Sequence, residues 1–256
     1  ELNRRFEKFM RVLNVGGVVD LSPVMEVGNI LLLSQIGVDS GKILSDILLG
    51  KQNPSGKLST TWAAFDNYSK EGTFGDMDET LYKEGIYVGY RYFDTFKKEI
   101  LFPFGYGLSY TKFETEVESV KNESDKITVK IKVKNTGTFS GKEVLQVYLS
   151  LPDGKIDKAY QEFAGFTKTS NLLPGETESV DISFYLSDFA SYDQLLEQFV
   201  LEKGDYIVRV GNSSRNTIIA ACVNLDKSVV TKKTKNCLGN PIFSDIKSSQ
   251  KKVEEI

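Results

Sequence analysis

The stretch Ile127-Thr-Val-Lys-Ile-Lys-Val-Lys134 decides the fold of the second half of the chain. Apolar and polar side chains alternate along it, which is typical of a strand with one face in a core and the other in water. The alternation returns in later segments that contain Leu145, Val180 and Tyr206, and turns rich in Gly and Pro separate them. Short alternating strands with regular turns predict a β-sandwich of immunoglobulin or fibronectin III type.

The first part of the chain has the pattern of an α/β unit instead. Unbroken apolar runs at residues 12–15 and 30–33 favour strands buried on both faces, as in parallel sheets. Apolar residues at helical spacing begin after Asp39 and end before Gly50, which predicts a helix with a left-handed glycine at its C-terminal end. Residues 57–62 are expected to form a further strand. The predicted fold class is therefore α/β followed by all-β.

Aromatic residues crowd the stretch between these two parts. Residues 63–112 are rich in Gly, Tyr, Phe and Asp, and they predict irregular structure held together by ring packing. The aromatic side chains that we expect to form this packing are Tyr82, Tyr87, Tyr90, Tyr92, Phe93, Phe96, Phe102, Phe104, Tyr106 and Tyr110.

The composition excludes several kinds of chemistry. The 256 residues include no histidine, so this chain cannot hold a Ser-His-Asp or Cys-His nucleophile pair or a metal site with histidine ligands. Cys222 and Cys237 are too few for a structural zinc site; we expect one half-buried thiol and one thiol in the tail, and a disulfide in an oxidising compartment stays open as the alternative. A net charge of −3 with interspersed signs indicates no nucleic-acid partner. No apolar run approaches the ~20 residues of a membrane span.

Two short motifs suggest ligands but lack the required spacing. Gly16-Gly17 follows a predicted strand, yet no dinucleotide fingerprint or Walker lysine accompanies it. The acidic cluster at residues 75–79 lacks the spacing of a calcium loop. The sequence therefore predicts no cofactor and no metal.

Three strings in the first half resemble the C-terminal region of glycoside hydrolase family 3, the β-glucosidase and β-xylosidase family. They are Asn53-Pro-Ser-Gly-Lys-Leu58, Glu84-Gly-Ile-Tyr-Val-Gly-Tyr-Arg-Tyr-Phe-Asp94 and Leu101-Phe-Pro-Phe-Gly-Tyr-Gly-Leu-Ser-Tyr-Thr-Lys-Phe113. Further strings in the family's order are found at residues 12–20, 133–137, 141–148, 163–166, 173–176 and 204–211. The resemblance implies a partial α/β sandwich with an aromatic-rich loop over 1–112, a fibronectin III-like domain over 113–225, and a linker or tail over 226–256.

The family resemblance also implies a function. Members hydrolyse β-linked sugars with retention, using one carboxylate as nucleophile and one as acid/base. The nucleophile lies in a (β/α)8 barrel, for which this chain has no room, and the acid/base Glu lies upstream of the strand at residues 12–15. We therefore expect no catalytic, cofactor-binding or metal-binding residue in this chain. It would supply scaffold and rim residues for β-linked glucosides or oligosaccharides bound by the intact enzyme. The alternative is a stand-alone carbohydrate-binding or interaction module without catalysis.

Glu84 is the one carboxylate that could substitute for a missing catalytic group. A carboxylate among aromatic rings can have a raised pKa. We expect a structural role instead, in which Glu84 accepts hydrogen bonds from backbone amides or pairs with Arg91.

The ends of the chain carry further expectations. Glu1 follows no initiator Met and no leader-like segment, which indicates a cut within a longer protein, and the compartment stays open with the cytoplasm favoured over secretion. If strands are missing upstream, sheet edges and an apolar face near residues 12–50 are uncovered, which predicts self-association or a mobile N-terminal half. The residues past Leu225 form either an ordinary extension or a link to a barrel that follows the sandwich.

Overall fold

The computed structural model describes residues 2–7, 9–72, 75–237, 239 and 241–248. The α-helices among them are α1 (Leu2–Arg5), α2 (Ser40–Leu48) and α3 (Tyr90–Thr95), and short 3-10 turns are formed by Ser22–Val24, Phe65–Asn67 and Leu186–Phe189. The strands are β1 (Arg11–Leu13), β2 (Ile30–Leu32), β3 (Phe113–Glu123), β4 (Lys126–Asn135), β5 (Val144–Ser150), β6 (Glu162–Lys168), β7 (Thr177–Tyr185), β8 (Ser191–Asp193), β9 (Gln198–Leu201), β10 (Gly204–Ser213), β11 (Asn216–Leu225) and β12 (Val229–Lys233).

The first half contains the predicted α/β unit. β1 and β2 pair in parallel with Val12 opposite Leu31, and α2 ends before Gly50, which has a φ of 69°. The two strands and the helix are therefore confirmed. The expected burial on both strand faces is wrong, since Val12 is 36% exposed and α2 buries none of its residues. Within the described residues this small sheet lacks a second layer that could cover it.

The predicted strand over 57–62 is wrong. This segment runs beside residues 102–106 and makes one isolated bridge, Trp62 to Phe102. In addition, the Leu58 amide donates to the Tyr106 carbonyl and the Gly105 amide donates to the Leu58 carbonyl. Pro103 has no N–H and Gly105 has a positive φ, so the neighbouring segment cannot continue a ladder.

The second half is the predicted β-sandwich. One sheet has the strand order β3-β4-β7 and the other β11-β10-β5-β6, and neighbouring strands in both are antiparallel. In β4 the apolar residues Ile127, Val129, Ile131 and Val133 are fully buried, while the lysines between them are exposed or half-buried. The alternation read from the sequence is therefore confirmed in the strand that anchors the core.

β5 departs from this alternation because it is buried on both faces. Leu145, Val147 and Leu149 point into the sandwich core as expected, but Gln146 and Tyr148 are also buried. The prediction of a half-buried strand is wrong here because the aromatic stretch covers the outer face of this sheet.

The chain continues beyond the sandwich in ordered form. β12 pairs with β9 in a third small sheet of order β12-β9-β8. The chain then returns to the first half, where the amide of Ile246 donates to the Lys83 carbonyl at 2.9 Å. The end at residues 249–256 lies outside the described residues. The domain limits given above stay a prediction. Cys222 and Cys237 are both free and exposed, so the expectation that one of the thiols is half-buried is wrong.

Candidate functional site

The stretch over residues 82–110, called the aromatic segment below, lies between the α/β unit and the sandwich. Its only regular element is α3, which begins after Gly89 in a left-handed conformation with φ 60°. Such a φ favours glycine, so the glycine of this string makes a sharp entry to the helix possible. The expectation of irregular structure held together by rings is confirmed.

The sandwich side of the aromatic segment is a set of interlocking rings. Tyr90 stacks on Phe104 with centroids 5.0 Å apart, and Tyr148 of β5 meets both rings edge-on at 6.1 and 6.5 Å. Phe163 of β6 adds a third edge contact, 5.4 Å from Phe104, and its amide donates to the Tyr90 hydroxyl at 2.8 Å. These rings are the layer that buries the outer face of β5.

A second cluster of buried side chains surrounds Tyr87 and Phe93. Tyr87 and Phe93 are each 1% exposed, and Ile246 of the returning chain packs against them. The Tyr87 hydroxyl donates to the Asp157 carboxylate at 2.7 Å, and the Ser248 amide donates to the same oxygen at 3.1 Å. Burial raises the pKa of Tyr87, which keeps its hydroxyl protonated as a donor.

Polar side chains join the two halves around the rings. Lys57 contacts Glu143 at 2.8 Å with both side chains nearly buried, and it also donates to the Gly107 carbonyl at 3.0 Å. Asn53 accepts from the Tyr110 amide and donates to the Ser140 carbonyl. The turn at residues 53–56, quoted above as a sequence string, therefore connects the α/β unit to the sandwich.

An ion pair joins α3 to the turn between β10 and β11. Arg215 Nε donates to Asp94 Oδ1 at 2.9 Å, and its Nη2 donates to the carbonyls of Phe93 and Lys98 at 2.9 and 2.7 Å. Burial raises the pKa of Asp94, and the bond from Arg215 opposes that rise. Gln161 donates to the other carboxylate oxygen at 3.2 Å. Sequence reasoning missed this pair, since the two partners lie 121 residues apart and no motif links them.

Glu84 does not have the partners that we expected. Its Oε2 is buried and accepts no hydrogen bond, and within the described residues no ion pair joins it to Arg91. Both parts of that prediction are wrong. The physical reason is local: the amides of Gly85, Tyr87 and Val88 are used by carbonyls of the same run of turns.

The part of the chain that the structure describes contains neither a metal-binding group nor a membrane-spanning helix. There, no group of three or more Asp, Glu, Cys or His side chains is arranged to hold a metal ion. No helix among the described residues could cross a bilayer. The expectation that this chain carries no catalytic, cofactor-binding or metal-binding residue stays a prediction. Tyr82 and Tyr110 are the exposed tyrosines of the aromatic segment, 66% and 41% exposed.

The Tyr87 hydroxyl and the Ser248 amide of the returning chain donate to the same oxygen of Asp157, and a substitution at Tyr87 tests this arrangement. Tyr87→Phe is expected to lower the free energy of unfolding by about 1 to 2 kcal/mol, because it removes a buried bond to a charged acceptor. Urea unfolding of both proteins measures the loss. Tyr185→Phe is the matched control, since Tyr185 is 51% exposed. Equal stability of the Tyr87→Phe variant and the parent sequence would contradict the assigned contact.

Comparison with protein families identifies both halves. Residues 2–110 match the glycosyl hydrolase family 3 C-terminal domain, and residues 143–214 match a fibronectin type III-like domain. Beta-glucosidase A of Butyrivibrio fibrisolvens is 40% identical over 93% of this chain, and a beta-glucosidase of Ruminococcus albus is 38% identical over 91% of it. The chain spans only 32% and 25% of the length of these two relatives.

Solved structures give the same result. A beta-glucosidase from Paenibacillus barengoltzii superimposes with a TM-score of 0.88 at 36% identity, over 92% of this chain and 28% of that one. Beta-glucosidase 3B from Thermotoga neapolitana, solved in complex with α-D-glucose, gives 0.84 at 40% identity, over 90% of this chain and 33% of that one. The arrangement of the α/β unit, the aromatic segment and the sandwich is thus shared with these structures.

Proposed function

We propose that this chain, whose residues 2–110 match the glycosyl hydrolase family 3 C-terminal domain, forms the α/β and fibronectin III-like part of a β-glucosidase-like enzyme of that family. The intact enzyme hydrolyses β-linked glucosides with retention, through a nucleophilic carboxylate and an acid/base carboxylate. This chain supplies the scaffold on which that site is completed, and it contributes rim residues at most.

The observation that carries the proposal is the pattern of coverage. More than nine-tenths of this chain aligns with beta-glucosidases, yet it accounts for no more than a third of their length. We place both catalytic carboxylates in the part of such an enzyme that this chain does not cover. Glu84 of the aromatic segment has no catalytic role under this proposal.

The uncovered face of the α/β unit supports a role as part of a larger body. Leu48 and Leu49 at the end of α2 are 52% and 68% exposed, and Val18 and Val19 after β1 are 40% and 39% exposed. Large apolar side chains exposed in this number support an interface with another part of a larger protein. We propose that the rest of the parent protein covers it.

Without that cover the isolated chain is expected to self-associate. Light scattering on the eluate of a sizing column should give a mass above the 28.7 kDa of the monomer, rising with concentration. Replacing Leu48 and Leu49 together by Glu should return the chain towards a monomer. The matched control places Glu at Leu195 and Leu196, which are exposed on the sandwich instead. A clean monomer of the unchanged chain at high concentration would contradict the interface.

The intact parent tests the function itself. We expect it to release the leaving group from a chromogenic β-glucoside and to give a β-configured first product, read by NMR. No turnover, or an inverted product, would overturn the proposal. Calorimetry of this chain with cello-oligosaccharides distinguishes the proposed scaffold role from that of a carbohydrate-binding module. We expect flat titrations, and saturable heat would favour the binding module.

A further inference from the structure

The returning chain, residues 241–248, lies against the aromatic segment without forming a helix or a strand. Two of its amides make backbone contacts: Ile246 donates to the Lys83 carbonyl at 2.9 Å, and Ser248 donates to Asp157 Oδ2 at 3.1 Å. Amides two residues apart that both donate to another part of the protein are typical of an extended peptide recognised through its backbone.

Two side chains of the returning chain contact the surface beneath it. Ile246 packs against the buried cluster that contains Tyr87. Asp245 passes over Gly85, where an added Cβ atom would lie 2.8 Å from Asp245 Oδ2, so the glycine makes this close approach possible. Ile242, by contrast, is 88% exposed. The contacts are therefore concentrated around Ile246.

The surface beneath the returning chain is held by contacts of its own. The Tyr87 hydroxyl donates to the Asp157 carboxylate at 2.7 Å, and the Tyr87 ring meets Phe96 edge-on with centroids 4.9 Å apart. Lys158, next to Asp157, is buried and pairs with Glu202. Because these contacts do not involve the returning chain, we expect the surface to persist when that chain leaves it.

A cavity of about 350 Å³ lies beside the returning chain. Ile246 lines it together with Tyr92 and Phe96, and the Ile246 side chain is only half-buried. A side chain with open space beside it makes fewer close contacts than one in a filled core, and each missing contact reduces the attraction. The returning chain is therefore held less firmly than the strands of the sandwich.

We propose that the returning chain is a separable peptide bound in a groove formed by residues 83–87 and Asp157, and that it opens while both halves stay folded. The groove takes an extended segment with an apolar side chain at the position of Ile246 and two donated amides. The bound segment contacts Lys83 of the aromatic segment and Asp157 between β5 and β6, so it fastens the two halves to each other.

Hydrogen exchange of the whole chain, followed by NMR, tests whether this segment opens on its own. The amides of Ile246 and Ser248 are expected to exchange at least about tenfold more slowly than in a free peptide, yet at least about 100-fold faster than the amide of Ile131 in the central strand β4. Exchange at the free-peptide rate would show that the segment is not bound. Exchange as slow as that of Ile131 would show that it opens only with the sandwich. Either result overturns the proposal.

A substitution in the whole chain tests the role of Ile246. Ile246→Asp is expected to empty the groove, because a charged side chain would lose water against the buried cluster. The Ser248 amide should then exchange at the free-peptide rate while Ile131 stays protected. Ile242→Asp is the matched control, since Ile242 is exposed, and Ser248 should keep its protection there. Protection of Ser248 that survives Ile246→Asp, or that both substitutions abolish, would overturn the assigned contact.

A labelled synthetic peptide of residues 241–248 tests the recognition directly by fluorescence anisotropy. It should bind saturably to the emptied groove of the Ile246→Asp chain. It should bind the unchanged chain at least about tenfold more weakly, because the segment of that chain competes at a high effective concentration. The same peptide with the Ile246→Asp substitution is the control and should not bind. Equal affinity for the two chains, or no saturable binding to the variant chain, would overturn the proposal.

Discussion

Replacing Asn135 by alanine is expected to lower the free energy of unfolding by about 3 kcal/mol. Asn135 is fully buried at the end of β4, where its amide donates to the carbonyls of Phe139 and Leu172 at 2.8 and 2.9 Å. Its side-chain oxygen accepts from the Thr111 hydroxyl at 2.7 Å and from the Gly137 amide at 3.1 Å. Alanine removes all four bonds and leaves the buried Thr111 hydroxyl without this acceptor, and a buried polar group left unsatisfied costs about 1 to 3 kcal/mol.

Urea unfolding of the Asn135→Ala variant measures this loss. Asn122→Ala is the control for the same change of residue type, since Asn122 lies exposed on β3 and its substitution should change stability by less than about 0.5 kcal/mol. Equal effects of the two substitutions would show that the bonds around Asn135 contribute nothing net. Thr111 lies directly after the aromatic segment, so its bond to Asn135 also joins that segment to the sandwich.

Replacing Arg215 by alanine is expected to cost about 2 kcal/mol at pH 7. The side chain of Asp94 is 4% exposed, whereas that of Arg215 is 34% exposed, so the pair is partly screened by solvent and its loss lies below that of a fully buried pair. Without Arg215 the Asp94 carboxylate remains buried but no longer has this positively charged partner. The measurement is chemical unfolding of the variant over a range of pH.

The pH dependence of the Arg215→Ala effect has a definite sign. Burial raises the pKa of Asp94, so folding takes up a proton in the pH range between the unfolded and the folded pKa. Stability therefore falls as the pH rises through that range. Removing Arg215 raises the folded pKa further, so the part of the loss that comes from the ion pair is expected to be smaller near pH 4 than at pH 7, whereas the bonds to the Phe93 and Lys98 carbonyls are lost at both.

A second substitution isolates the charge of Asp94. Adding Asp94→Asn to the Arg215→Ala variant should remove the extra pH dependence and recover part of the lost stability, because no buried charge remains unpaired. An Arg215→Ala variant that loses the same stability at pH 4 and pH 7 would contradict the assigned ion pair.

The features predictable from sequence are those that a local pattern determines. The alternation of β4 follows from one buried and one wet face, and α2 follows from helical spacing that ends at a left-handed Gly50. The family strings predicted the order of the two halves. Each of these features can be predicted without knowing which residues pack against the element.

The features that sequence reasoning missed depend on distant contacts. β5 is buried on both faces because rings from the aromatic segment cover its outer side, which no pattern within the strand reveals. The segment at 57–62 fails as a strand because its neighbour contains Pro103. Asp94 and Arg215 are ordinary charged residues in the sequence, and only the fold brings them together. Glu84 was expected to accept hydrogen bonds from nearby backbone amides, but those amides donate to carbonyls of the same run of turns instead.

The most direct test of the central claim is the hydrolysis of a chromogenic β-glucoside by the purified chain alone, beside the intact parent as positive control. Our account places both catalytic carboxylates outside these 256 residues. It therefore predicts no turnover above a blank without protein, under conditions in which the parent is active. Turnover that co-purifies with the folded chain would contradict the account, because a carboxylate pair within this chain would then have to perform the reaction.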